Sequence, residues 1–291
     1  PTRNCFLIVT FYFTGVSSVP MLEKKAMQAI TIKPGKFDEE NQCWCSVKYD
    51  AGERGVPSVS IKLLTYNVWF SDEYIDERSI ALLGILKDSN ADLIALQEVT
   101  YHFLQVLLMQ EWIRRDYHIS DIKGDTFSAY GVILLSRFPI KTLYQFDLPS
   151  YMERKLILAE LIVNGETFKV ATVHLESMKE SADVRAQQLN TIFPLLDNAD
   201  SAVLMGDFNF FPSTKKEDSN IDDNYSDLWN ELRADEPGYT INSVVNTMLC
   251  KNLSIKVMSR IDRIIFRRAN SGWRAKKIGL LGVSAISKQT P

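Results

Sequence analysis

Cysteine is scarce in this sequence: Cys5, Cys43, Cys45 and Cys250 stand alone in 291 residues, with no CxxC pair and no second cluster at zinc spacing. That excludes a disulfide scaffold and a cysteine zinc module, and Cys43 and Cys45 are too close to form half of a zinc finger. We read the four as reduced thiols, which points to an intracellular home. Positive charge is not in excess either. The 33 Lys plus Arg against 36 Asp plus Glu leave a formal charge of -3, which excludes a protein that coats nucleic acid by bulk charge but leaves room for a local basic patch. There is no internal repeat, no low-complexity tract and no coiled-coil seam, so solenoid and fibrous architectures are excluded and a monomer is expected.

What is present is ordinary globular composition, 46% apolar and 11% aromatic, in a chain long enough to bury a sizeable core without staples. Residues Cys5 to Met21 carry no charge. They are short for a membrane span, and because residue 1 is not Met, an inert extension or a mis-started reading frame is expected rather than a membrane anchor. Residues 22–58 are rich in polar residues and breakers and read as a linker, giving an N-terminal extension over 1–58 and a catalytic domain over 59–291.

From Ser58 onward, apolar runs of strand length such as IKLLTYNVWF, DLIALQEV, KLILAELIV and SAVLMGDFNF alternate with helical patterns. Ile80, Leu83 and Leu86 predict one amphipathic helix, Phe103, Leu107 and Trp112 a second, and Ala182, Ala186, Leu189 and Ile192 a third. Asn164-Gly165 between two apolar runs signals a tight hairpin, since both central positions of a type I′ turn need positive φ. Continuous apolar strands plus an antiparallel hairpin predict mixed sheets buried by helices: an α/β sandwich.

Polar residues cluster where the apolar runs end. Asn67 follows LLTY, Gln97 and Glu98 follow DLIAL, His174 and Glu176 follow KVATV, and Asp207 and Asn209 follow AVLMG. Strand ends hold carboxylates and amides rigidly at a shared rim, which suits a divalent-metal site built from oxygen ligands. One such residue alone is usually a turn former, but four strand ends of the same kind point to chemistry.

In chain order TYN (Thr65 to Asn67), QEV (Gln97 to Val99), HLES (His174 to Ser177), GDFN (Gly206 to Asn209) and RIDRIIF (Arg260 to Phe266) resemble the endonuclease/exonuclease/phosphatase superfamily of DNase I-like enzymes. HLES, Tyr239-Thr240, DRIIFRR and the terminal LLG are similar to its 5′-tyrosyl-DNA phosphodiesterase branch. The resemblance covers about residues 60 to 285 and implies a four-layered sandwich of two packed mixed sheets flanked by helices. It further implies Mg²⁺, or Mn²⁺, held by Glu98 with Asn67 nearby, and Asp207 activating water. Asn209, His174 and Ser177 would contact the scissile phosphate, and Arg154, with Lys155 beside it, the nucleic-acid strand. The implied substrate is a DNA 5′ end carrying covalent tyrosine or peptide, in repair, in the nucleus or cytoplasm. A protein partner such as ubiquitin for the N-terminal region also belongs to that picture, and a membrane does not. The basic stretch Arg263, Arg267, Arg268, Arg274, Lys276 and Lys277 reads as a solvated face.

One departure stands out. The superfamily closes its site with a Ser-Asp-His, and Asp262 resembles the residue that holds this histidine, yet the only histidines are His102, His118 and His174. The LLG alignment puts the motif just beyond Pro291, so the expectation is a chain truncated at its C-terminus; the alternatives are another DNase I-like nuclease or phosphatase, acting on abasic-site DNA, an RNA tail or a phosphorylated small molecule, and a catalytically impaired module that binds DNA ends or a protein.

Overall fold

The apolar runs become strands of two sheets in the computed structural model, which describes residues 29–50, 55–210, 215–246, 248–249, 256–268 and 273–287. The expectations for Cys5 to Met21 and for Cys250 lie outside these residues. In chain order the strands and α-helices are β1 (Ala29–Thr31), β2 (Gly35–Asp38), β3 (Cys43–Ser46), β4 (Leu63–Asn67), α1 (Ile75–Ser89), β5 (Leu93–Thr100), α2 (Tyr101–Leu108), α3 (Glu111–Asp116), β6 (His118–Ile119) and β7 (Tyr130–Ser136). There follow β8 (Thr142–Asp147), β9 (Lys155–Val163), β10 (Glu166–His174), α4 (Ala182–Leu196), β11 (Ser201–Asp207), α5 (Lys215–Asp218), β12 (Tyr225–Asp227), α6 (Leu228–Leu232), β13 (Ile241–Asn242), β14 (Met258–Ser259) and β15 (Asp262–Arg268).

One sheet runs β1-β8-β9-β10-β11-β15-β12, the other β3-β2-β6-β7-β5-β4, and β13 pairs with β14 apart from both. Parallel pairing joins β4 to β5 and β10 to β11, while β11 with β15 and β9 with β10 are antiparallel. A parallel pair requires a crossover, and α1 and α4 supply the two. Each lies on the outer face of its own sheet.

Alternation along the strands builds the layers. Leu93 and Ala95 of β5 point inward with Leu134 to meet Ile157, Leu161, Val203 and Met205 of the facing sheet. Ile94 and Leu96 point outward against Leu83 and Leu86 of α1 and Phe103 and Leu107 of α2. On the far side Ala171, Val173 and Leu204 pack against Leu189, Ile192 and Phe193 of α4. Helix, sheet, sheet, helix is the four-layered sandwich that the resemblance implies. Each fully buried leucine or isoleucine contributes about 1.5–3 kcal/mol.

The Asn164-Gly165 turn has φ 54° and 81°, as a type I′ hairpin requires, with Val163 opposite Glu166. The third helix stands as expected. In α1, however, Ile80 is 72% exposed and the buried face is Ser79, Leu82, Leu83 and Leu86. Steps of three fall about 60° short of a full circle each time, so a stripe needs alternating steps of three and four. The second helix is split at Met109-Gln110 into α2 and α3.

Residues 22–58, read as a linker, need a larger correction. Among them β1 pairs with β8, and β2 and β3 extend the other sheet through β6. These strands are too short to display alternation, and backbone pairing at sheet edges holds them.

Candidate active site

Both parallel pairs end on the same rim, and open α/β sheets bind ligands beyond the carboxyl ends of parallel strands. Asn67 closes β4, His174 closes β10 and Asp207 closes β11. His174 and Asp207 are register neighbours, and Asp262 at the start of β15 is the next neighbour of Asp207. All are buried. Glu98 reaches this rim by a different device. The β5–β7 register shifts between Leu96 and Val99, and Glu98 sits in this bulge with φ 58°. Trp69 and Asn209 also have positive φ, at 60° and 51°. Such conformations cost on the order of 1–3 kcal/mol each and gather at functional sites.

Asn67 bridges the two carboxylates. Its Nδ2 donates to Glu98 Oε1 at 2.9 Å and to Asp207 Oδ2 at 3.0 Å, while its Oδ1 accepts from Trp69 N. Asn67, expected near a metal on Glu98, stands here between the two acids. Phe70 N donates to Glu98 Oε2, and Asn209 N to Asp207 Oδ1. Burial raises the Glu98 pKa, with the Asn67 and Phe70 hydrogen bonds and Arg154 opposing it. Asp207 is pushed up to about 8, first by burial and then by the neighbouring Asp262 carboxylate.

Arg154 is the cation of the site. It is buried, with Nη1 3.1 Å from His174 Nδ1 and Nη2 donating to Ser177 Oγ at 2.8 Å. Burial, then the Arg154 charge, holds the His174 pKa well below its ordinary value. The ring is therefore neutral, and because a guanidinium only donates, Nδ1 accepts and the proton sits on Nε2. Nε2 lies 4.0 Å from Glu98 Oε1 and 3.8 Å from Asp207 Oδ2, too far for direct hydrogen bonds. It faces the gap between the acids. Asn209, expected to donate to phosphate, spends Nδ2 on Leu175 O and Ser177 Oγ. Ser177 Oγ thus accepts from Arg154 and Asn209, leaving its proton to donate.

The other expected cations are elsewhere. Lys155 turns to Asp147 at 3.9 Å. Arg263 pairs with Asp218 and Asp227, and Arg267 lies 3.6 Å from Asp197. Arg274, Lys276 and Lys277 are exposed, as a solvated face requires.

Sequence reading gave the supporting residues no role. Glu176 of HLES accepts from Ser150 Oγ and Tyr151 N, fixing the loop that carries Arg154. Arg185 donates to Glu176 O and Met178 O and pairs at 2.5 Å with Glu217. Gln97, noted as a strand-end residue, donates to Thr65 and Thr172 and ties the sheets together. Thr240 Oγ1 accepts from the amides of Ile261 and Asp262. A cleft of about 380 Å³ opens beside His174 and Arg154, lined also by Tyr130, Tyr151 and Met152.

The donor set fits a hard cation. Buried carboxylates whose pKa values are raised by desolvation and by one another mark a place where positive charge is favourable. Among the described residues no three of His, Cys, Asp and Glu are grouped to hold a metal ion. An ion here would rest chiefly on Glu98, with water and substrate oxygens completing its shell, as Mg²⁺ sites commonly do.

The model of the Endonuclease/Exonuclease/phosphatase family matches residues 64–274. The chain belongs to this family. Among curated members it is 26% identical over 219 residues to tyrosyl-DNA phosphodiesterase 2 of Xenopus tropicalis, covering 72% of this chain and 56% of that protein. It is 27% identical to the Gallus gallus protein of the same name, covering 78% and 62%. The chain thus spans less than two thirds of these relatives' length. Among solved structures, humanized D. rerio TDP2 superposes with a TM-score of 0.66 at 19% identity, over 77% of this chain and 91% of that one. D. rerio TDP2 complexed with single-strand DNA product gives 0.63 at 21%, over 73% and 86%. At these identities the structures attest the DNase I-like fold of the family.

Proposed function

We propose that this chain is a divalent-metal-dependent phosphodiesterase that hydrolyses the bond between a tyrosine oxygen and the 5′ phosphate of DNA. The observation that carries the reading is the convergence of Glu98, Asp207 and His174 within about one hydrogen-bonding shell of a shared gap, at the carboxyl ends of both parallel pairs. Two features support the tyrosyl-DNA substrate. The HLES form of the β10 end resembles that branch, and the relatives at 26–27% identity carry that name. A related D. rerio structure holds a single-strand DNA product. The reading places the protein in DNA repair, in the nucleus, with the catalytic unit beginning at β1.

Glu98 would hold Mg²⁺, with Mn²⁺ as a substitute, and Asn67 would keep Glu98 and Asp207 apart. When bound, the ion supplies positive charge against the charge that builds on the phosphoryl oxygens. Asp207 orients the attacking water and takes its proton, for which a raised pKa is suited. The water oxygen bonds to phosphorus as the phosphorus–tyrosine oxygen bond breaks, leaving a 5′ phosphate and tyrosine. His174 Nε2–H and the Ser177 hydroxyl donate to phosphate oxygens, and Arg154 sets the orientation of both and adds fixed charge nearby.

Glu98→Gln and Asp207→Asn separate the roles. The first variant loses a charge that binds metal, so higher Mg²⁺ restores part of its activity on a 5′-phosphotyrosyl oligonucleotide. The second loses the proton acceptor, and metal does not restore it. Rescue of Asp207→Asn alone would reverse the assignment.

A further inference from the structure

Cys43 and Cys45 stand two residues apart on β3, and their side chains lean together until the sulfur atoms are 3.4 Å apart. Both are free thiols, Cys43 exposed and Cys45 partly so. Strand alternation puts both on one face and Trp44 on the other. Trp44 is committed there, with Nε1 donating to Leu108 O at 3.1 Å and its ring edge-on to Phe37 at 5.6 Å. Among the described residues β3 is an edge strand paired with β2 alone, with Asp38 opposite Cys43 and Lys36 opposite Cys45. The contact with Cys45 is the first cause of a raised Cys43 pKa, and either sulfur can donate in it. An accessible dithiol at this distance, on a strand that can yield without opening the core, is poised for two-electron chemistry rather than for metal binding, since no third ligand joins it among the described residues.

We propose that Cys43 and Cys45 form an oxidation site at which a hydroperoxide closes a reversible intrachain disulfide. The thiolate of one cysteine attacks hydrogen peroxide, the O–O bond breaks, and a sulfenic acid and water form once the leaving hydroxide takes a proton. The second thiol attacks the sulfenic sulfur, the S–S bond forms, and a second water leaves. Two thiols and one peroxide thus give one disulfide and two waters, with both electrons passing from sulfur to peroxide oxygen. Closure brings the sulfurs from 3.4 Å to about 2.05 Å and draws residues 43 and 45 together. The bond spans a strand that is extended when reduced, so it is readily reduced again. Trp44, at the apex, must shift against Leu108 and Phe37. The site is independent of the phosphodiesterase reading.

The test uses the full chain with Cys5→Ser and Cys250→Ser, treated with near-equimolar hydrogen peroxide. The expected result is a loss of about two hydrogen masses, a Cys43–Cys45 crosslink in tandem mass spectra, and restoration by dithiothreitol. Tryptophan emission changes on oxidation, and the change disappears in Trp44→Phe. Cys45→Ser stops at an added oxygen at Cys43 or remains unmodified. Overoxidation at both sulfurs with no loss of mass, or crosslinking between chains in place of the internal bond, overturns the proposal.

Discussion

Gly206 sits one residue before Asp207, with φ 151°, and a Cβ there would lie 1.9 Å from Val173 O and 2.9 Å from Val173 C. Both are backbone atoms of the adjacent parallel strand, so no side chain can rotate away. Relieving the overlap to about 3 Å forces β10 and β11 apart by roughly 1 Å, at the pair of residues just before His174 and Asp207. Gly206→Ala should therefore cost about 1–3 kcal/mol, a fall in Tm of roughly 2–12 °C for a domain of this size. It should also weaken divalent-metal binding by calorimetry, since the rung that sets the 3.8 Å His174–Asp207 spacing is displaced. Gly84 provides the contrast. It lies in α1 with nothing within 4 Å of its would-be Cβ, so Gly84→Ala should stabilise by about 0.5–1 kcal/mol. A Gly206→Ala protein that melts with the parent would refute the close approach of the two strands, and a Gly84→Ala protein that is destabilised as far as Gly206→Ala is predicted to be would refute the open space at Gly84.

Three further outcomes are expected. Burial, then Lys36, lowers the His118 pKa to about 4, so the unfolded chain takes up a proton first as the pH falls below about 6.5 and stability drops between there and 4. Partial screening holds the loss to about 1–2 kcal/mol, and His118→Asn should flatten that part of the pH–stability curve; an unchanged curve refutes it. Arg185→Met strands Glu217 in the interior and should cost about 3–5 kcal/mol in urea unfolding, whereas Arg185→Met with Glu217→Leu should recover most of it; equal losses would show that the pair is not coupled. Arg154→Met removes the donor to His174 Nδ1 and Ser177, so it should weaken binding of a 5′-phosphorylated oligonucleotide by about tenfold or more, and undiminished binding would remove Arg154 from the phosphate site.

Sequence pattern reveals the site better than it reveals the roles within it. Asn67, His174 and Asp207 are legible because each ends a continuous apolar run, and a strand buried on both faces must deliver its last polar residue to a rim. Glu98 belongs to the same pattern, but its bulge is invisible, since nothing in QEV marks a glutamate with positive φ. The partners of Asn209 and Asn67 were equally hidden: an amide has a donor end and an acceptor end, and only the fold decides which faces the acids. Residues 29–46 escaped because strands this short carry no period, whereas α4 shows one over four turns. Arg185 looks like an ordinary exposed helix charge in sequence, and only the loop folded over it makes it buried.

The central claim is tested most directly by single-turnover reaction of a 5′-phosphotyrosyl oligonucleotide with and without Mg²⁺. The account predicts Mg²⁺-dependent release of tyrosine and a 5′-phosphorylated product, abolished by Asp207→Asn. Cleavage of abasic DNA with no release of tyrosine from the folded protein would contradict it.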